Sequence, residues 1–193
     1  MNEQERPIKL AFVGTSCVGK TTLLDYYRKR LRHKDSVAFV AEAAREHFAR
    51  HNDIPIAERF TERVQTDVQD LQLANEMQAN RSGVQLIFSD RSVVDAAAYV
   101  LGTGNKNGSE RLLRKVDGWI NTYNMLYLLD PHDIPYANDA IRREDKNERM
   151  ELHQAFLELF QRESMPYQLL SGTKPERVGQ VDLFIAKEGV IYE

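Results

Sequence analysis

Short apolar runs recur at Ile8 to Val13, Val37 to Val40, Val84 to Phe88, Met125 to Leu129 and Tyr167 to Leu170, with longer segments of mixed polarity between them. These runs are apolar at nearly every position rather than at alternate ones, the mark of strands buried on both faces. Five strands alternating with helices predict a parallel sheet covered on each side, a three-layer α/β domain. Glu58 to Asn80 reads as one long helix, with Phe60, Val64, Val68, Leu71 and Met77 near one stripe. Gln65, Gln69, Gln72 and Glu76 share another face at spacings of four and three. Such a polar face is ordinarily a wet one, and ligand contact is its alternative. Gly102 to Gly108 and Pro131 to Lys146 read as mobile loops.

The first run ends in Gly14-Thr15-Ser16-Cys17-Val18-Gly19-Lys20-Thr21, a complete GxxxxGKT loop, and a helix-forming stretch starts with Thr22. Its glycines let the backbone curl so that successive amides face inward, and the following helix adds its positive end. The loop is therefore a phosphate seat. Lys20 is expected to reach the β and γ phosphates of a nucleotide, and the Thr21 hydroxyl to join the shell of Mg²⁺. Cys17 reads as a small filler in that loop; a helix N-terminus also favours a reactive thiolate, and modification there would block the nucleotide.

In open α/β sheets ligands gather at the carboxyl ends of the strands. After the second run, Glu42 is the first candidate to orient an acceptor hydroxyl and take its proton. Capping the next helix or pairing with Arg45 would equally explain it. After the third run come Ser89-Asp90-Arg91-Ser92, where Asp90 suits Mg²⁺ opposite Thr21 and Arg91 suits a phosphate or an ion pair with Asp95 four residues on. After the fourth, residues 131–147 read as a lid whose Arg142 and Arg143 would neutralise charge on a transferring phosphoryl group, with Arg149 as a third candidate. Trp119 and Tyr123 read as packing residues, and the histidines, His132 included, show no zinc spacing.

At 193 residues the chain reads as one domain. A formal charge of −3 gives no electrostatic reason to expect nucleic acid as partner. No apolar run approaches a membrane span, and one cysteine without a signal-like segment points to a cytoplasmic setting.

The chain resembles the small P-loop kinase-like AAA domains related to the ribosylnicotinamide kinase domain of bacterial NAD-biosynthesis regulators. The likeness runs nearly end to end. It rests on FVGTSCVGKTTL, the glutamate after the second strand, the glutamine-rich helix, FSDRSVVDAAAY, LLDPHDIPYANDAIR and SGTKPERV. It implies a nucleoside-kinase-like fold with a five-stranded parallel sheet, ATP with Mg²⁺, and phosphorylation of a ribosyl hydroxyl. By resemblance Lys20, Thr21 and Asp90 take the phosphate and metal roles, Arg142 the lid role, and Arg177 a place near the adenine end. The chain departs where Asp139-Ala140 replaces Asp-Gly, since alanine lacks glycine's freedom at positive φ. The expectation is an ATP-dependent kinase acting on a nucleoside-like acceptor; the rival is a nucleotide-binding ATPase or switch that acts through a protein partner.

Overall fold

The computed structural model describes residues 6–133 and 146–189. Five strands, β1 (Ile8–Val13), β2 (Val37–Val40), β3 (Leu86–Asp90), β4 (Met125–Leu129) and β5 (Tyr167–Leu170), form one parallel sheet in the order β2-β3-β1-β4-β5. The helices are α1 (Lys20–Arg30), α2 (Ala43–Arg50), α3 (Glu62–Asn80), α4 (Asp95–Gly102), α5 (Lys106–Ile120), α6 (Lys146–Arg162) and α7 (Lys174–Lys187). The expected three-layer architecture with a five-stranded parallel sheet is what the chain adopts.

The pleat of β1 divides the core. Leu10 and Phe12 join Leu23, Leu24 and Tyr27 of α1 and Val181 and Ile185 of α7, whereas Ala11 and Val13 join the buried faces of α4, α5 and α6. On the α1 side the rings of Phe12, Tyr27 and Phe88 stack, with Tyr27 and Phe88 centroids 4.6 Å apart. A central strand wedged between two apolar layers leaves its C-terminal end, where Gly14 begins, little freedom to move.

Three boundaries differ from the pattern-based reading. The third strand starts and ends two residues later than its apolar run, because Ser89 and Asp90 pair along β1 although neither is apolar. The long helix begins at Glu62, after a short 3₁₀ turn at Ile56–Glu58 that closes onto Pro55 and Ile56 carbonyls. Residues 102–108 are no open loop: α4 ends at Gly102, and Asn105 Oδ1 accepts the Gly108 N–H at 2.9 Å, so Gly108 lies in the first turn of α5.

The polar face of α3 also departs from expectation. Gln65, Gln69, Gln72 and Glu76 are all buried, their heads bonded within the protein. Glu76 lies at the amino end of the sheet and forms a pair with Lys9 of β1, Nζ to Oε2 3.6 Å, both side chains fully covered. The Lys9 ammonium also donates to Thr122 Oγ1 at 2.6 Å and sits 3.9 Å from the centre of the Trp119 ring. Glu76 accepts from Gln72 Nε2, Trp119 Nε1 and the Tyr123 hydroxyl. Trp119 and Tyr123 thus pack, as expected, but around an ion pair. Burial raises the Glu76 carboxyl above its ordinary range against the pull of Lys9, and burial lowers Lys9 to about 8.

The pair is asymmetric, which sets its mutational signature. Glu76→Ala leaves a buried ammonium without its carboxylate and takes away the acceptor of Trp119 Nε1 and the Tyr123 hydroxyl, and is expected to cost about 3–5 kcal/mol in urea unfolding. Lys9→Met leaves Glu76 with three donors and an already raised affinity for a proton, so its cost should be clearly smaller. Equal losses would show that Glu76 is not the centre of the cluster.

Candidate functional site

The chain leaves β1 at Gly14 with φ 122° and turns again at Cys17 and Gly19, with φ 56° and 90°. A side chain at Gly14 would press on Leu128 Cδ1 at 3.2 Å, so both the turn and the close approach call for glycine. Val18 is the loop's apolar anchor, fully buried beneath α1. Cys17 is half-buried at the loop's bend, and Thr22 faces out from the first turn of α1. The Thr15 hydroxyl and Ser16 are buried within the loop, and Thr15 Oγ1 has no hydrogen-bond partner among the described residues.

Lys20 folds back over the loop, its Nζ donating to Gly14 O at 2.9 Å and to Thr15 O. Burial, reinforced by the neighbouring Arg91 cation, lowers its ammonium to about 8. Thr21 Oγ1 donates toward Asp90 Oδ2 at 3.4 Å, while Asp90 Oδ1 is buried with no hydrogen-bond partner among the described residues. Burial, with Glu42 adding repulsion, holds the Asp90 carboxyl above its ordinary range. A hydroxyl facing a carboxylate with an unmatched oxygen is a hard-oxygen donor set that fits Mg²⁺. No cluster of three acidic or histidine ligands exists among the described residues, so most other ligands would come from phosphate and water.

Arg91 joins this loop to the neighbouring cleft. It occupies left-handed backbone space at φ 72°, its N–H donating to Phe12 O. The guanidinium donates from Nε to Glu42 Oε1 at 2.8 Å and from Nη1 to Gly14 O and Asp95 Oδ1, both at 3.1 Å. The Tyr99 ring centre lies 5.1 Å away. Asp95, the expected partner, is fixed by the Ser92 N–H and hydroxyl as well. Glu42 occupies the N-cap position of α2 but makes no side-chain cap bond; it reaches Arg91 and, at 3.3 Å, Arg45.

These groups floor a cleft of about 1060 Å³ that reaches Ser16 of the loop. Gln65, Gln69 and Gln72 of α3 contribute to its walls, with Phe48, Phe60 and Tyr99 as its aromatic side. Gln72 bonds Ser89 Oγ at 2.9 Å and accepts from the Ala43 N–H at 3.4 Å, tying the start of α2 to β3. The aromatic wall escaped sequence reasoning altogether. The glutamines carried a signal, since a helix face with amides and almost no charge is suited to burial against backbone polar groups.

Arg177 is buried at the other side of the loop. It donates to Val18 O at 2.8 Å, Gly172 O at 2.9 Å and Asp130 O at 3.1 Å, so it clamps the loop to the ends of β4 and β5. Arg149 is buried and donates to Pro131 O, and His132 pairs with Asp130. Arg142 and Arg143, with residues 134–145 of the expected lid, lie outside the described residues.

A family model described as AAA domain matches residues 9–177. No curated protein matches the chain. Among solved structures it is similar to NadR protein in complex with NAD and AMP-PNP, with a TM-score of 0.71 and 18% identity over 98% of this chain and 52% of that one. It is similar also to NadR protein in complex with NR, with a TM-score of 0.73 and the same identity, 18%, and coverage, 98% and 52%. The chain spans about half the length of those proteins, and the likeness is one of fold. No helix among the described residues is long and apolar enough to cross a membrane.

With Lys20 on the phosphates, as the sequence leads one to expect, its lowered pKa would give phosphate binding a defined pH dependence. Below about 8 the ammonium is already charged; above it, a bound triphosphate must draw a proton onto Lys20, so affinity falls as pH rises. Calorimetry of ATP binding in buffers of different ionisation enthalpy should find proton uptake near zero at about pH 6.5 and approaching one at about pH 9. Lys20→Met should abolish that rise. Uptake that stays flat across this range would place the ammonium outside the phosphate site.

Proposed function

The chain belongs to the AAA domain family, and we propose that within it the protein is an ATP-dependent kinase. The reaction is transfer of the γ-phosphoryl group to a hydroxyl of a nucleoside-like acceptor. The observation that carries this reading is the cleft of about 1060 Å³ opening beside Ser16 of the phosphate loop, with Glu42 and the Arg91–Asp95 pair at its floor. Slow hydrolysis needs only a water beside the γ phosphate. A cavity of this size, part aromatic and part amide, suits a small molecule. Fold likeness to NadR structures holding AMP-PNP and NR supports the same reading.

The donor lies along Gly14 to Thr22, with Lys20 on its β and γ phosphates. Thr21 and Asp90 would hold Mg²⁺, which when bound neutralises charge on those phosphates. Arg177 serves the adenine end indirectly, by fixing the Val18 carbonyl and so the loop's shape. Glu42, held between two guanidinium groups, accepts a hydrogen bond from the acceptor hydroxyl and takes its proton as the new P–O bond forms. The bond from the γ phosphorus to the bridging oxygen breaks, and ADP leaves. Arg142 and Arg143 supply positive charge from the lid. Positioning and charge neutralisation carry most of the rate in such chemistry. The setting we assign is cytoplasmic, with the chain working as a single kinase-like domain.

The test is ADP release with ATP and Mg²⁺ across a panel of nucleosides that includes nicotinamide riboside. Acceptor-dependent release is expected, with Lys20→Ala lowering it at least about 10³-fold, a loss of transition-state charge stabilisation. Glu42→Gln should lower kcat by about 10²- to 10⁴-fold, and Asp90→Asn should raise the Mg²⁺ concentration at half-maximal rate. Release indifferent to every nucleoside, alongside tight ATP binding, would instead make the protein a nucleotide switch.

A further inference from the structure

Arg59 is the one cleft-lining group whose guanidinium the described fold leaves without a counter-charge. It stands between the 3₁₀ turn and α3, and its backbone is fixed at both polar atoms. The N–H donates to Ile56 O at 3.2 Å, and the carbonyl accepts from Gln65 Nε2 at 2.7 Å. The side chain lies against the Phe48 ring of α2, with its guanidinium carbon 4.6 Å from the ring centre. Its Nε is buried and has no hydrogen-bond partner among the described residues.

The contrast with the other cations of the cleft is chemical. Arg91 is matched by Glu42 and Asp95, and Arg45 by Glu42. Glu58, the carboxylate next to Arg59 in sequence, pairs at 3.7 Å with Arg63 instead. Glu148 and Glu151 line the cleft too, but from α6, where both are exposed. A buried N–H left unmatched is costly, and a cation over an aromatic ring at the wall of a cavity favours an anionic neighbour there. Negative charge on a ligand is therefore favoured on the α2 side, beside Arg59.

We propose that Arg59 is a specificity-determining residue that reads a carboxylate on the acceptor, so that the preferred substrate class is a riboside whose ring bears a carboxylate. This rests on the kinase reading above. The planar fork of a guanidinium matches a carboxylate in a bidentate pair. Phe48, Phe60 and Tyr99 offer apolar rings to the acceptor's own ring, and the floor at Glu42 is left for its hydroxyl.

The test compares matched pairs that differ in that carboxylate: orotidine against uridine, and nicotinic acid riboside against nicotinamide riboside. Turnover is read as kcat/KM, and binding by calorimetry to the protein loaded with a non-hydrolysable ATP analogue and Mg²⁺. In the pair that the protein accepts, the carboxylate member should be favoured by about 10- to 100-fold in both readouts, the worth of a charge-assisted hydrogen bond. Arg59→Met should bring the ratio close to one, and Arg59→Lys should restore part of it. A wild-type ratio at or below one, or a ratio that survives Arg59→Met, would overturn the proposal, as would preferential turnover of nucleoside monophosphates. Carboxylate-selective binding without ADP release from any acceptor would sink the kinase reading and leave the Arg59 subsite standing; the absence of selective binding would sink the subsite whatever the turnover.

Discussion

A single buried guanidinium holds the two halves of the site in register. Arg91 touches the phosphate loop through the Gly14 carbonyl and the floor of the cleft through Glu42 and Asp95. A cation removed from water is tolerable only when its hydrogen-bonding directions are met, and here carboxylates on either side and a carbonyl meet them. Those surroundings keep its proton bound well above the ordinary arginine range even though burial opposes it. The constraint is geometric as well as electrostatic. Movement of the start of α2, the start of α4 or the phosphate loop would strip a partner from the same charge, so the three segments are locked to one another.

That lock extends inward through α3. Gln72 spans from the N–H of Ala43, beside Glu42, to Ser89 and to the carboxylate of Glu76. Glu76 in turn is matched by Lys9, Trp119 and Tyr123 at the far end of the sheet. Continuous polar contacts of this kind, satisfied and dry, define one arrangement of a core where apolar packing alone would tolerate several. With Lys9 and Glu76 both fully covered, no solvent screens the charges within this network. The cost of burying these groups is offset by the apolar layers that press α1 and α7 on one face of the sheet and α4 to α6 on the other.

Much of the architecture was legible in the residue pattern because strand burial on two faces and the glycines of a phosphate loop are local requirements. Gly14 and Gly19 adopt positive φ, and the order of apolar runs matches the order of strands. The Arg91–Asp95 pair was expected from four-residue helical spacing and does form, but Arg91 stands in left-handed backbone space ahead of α4, so the turn at Ser92 rather than a helix face brings the two together. Ser89 and Asp90 were read as following the third strand, whereas they are its last two residues, because their pairing with β1 is a non-local choice. The Asn105 cap was missed because an asparagine and glycine cluster serves a helix start as readily as an open loop.

The sequence alone determined the sheet, the phosphate seat and the carboxylates at the strand ends, since each follows from chemistry within a few neighbouring residues. Only the tertiary structure decided that the amide face of α3 lies inside, that Lys9 and Glu76 meet sixty-odd residues apart in the chain, and that Arg91 rather than Arg45 alone holds Glu42. It also decided which side chains surround the cleft beside the phosphate loop. Phe48, Tyr99 and Glu151 come from three separate helices and Arg59 from the segment ahead of α3, and whether such groups face one another depends on how helices dock across a sheet. Spacing along one helix carries no record of that docking, because it is set by the summed fit of two apolar layers rather than by any local run of residues.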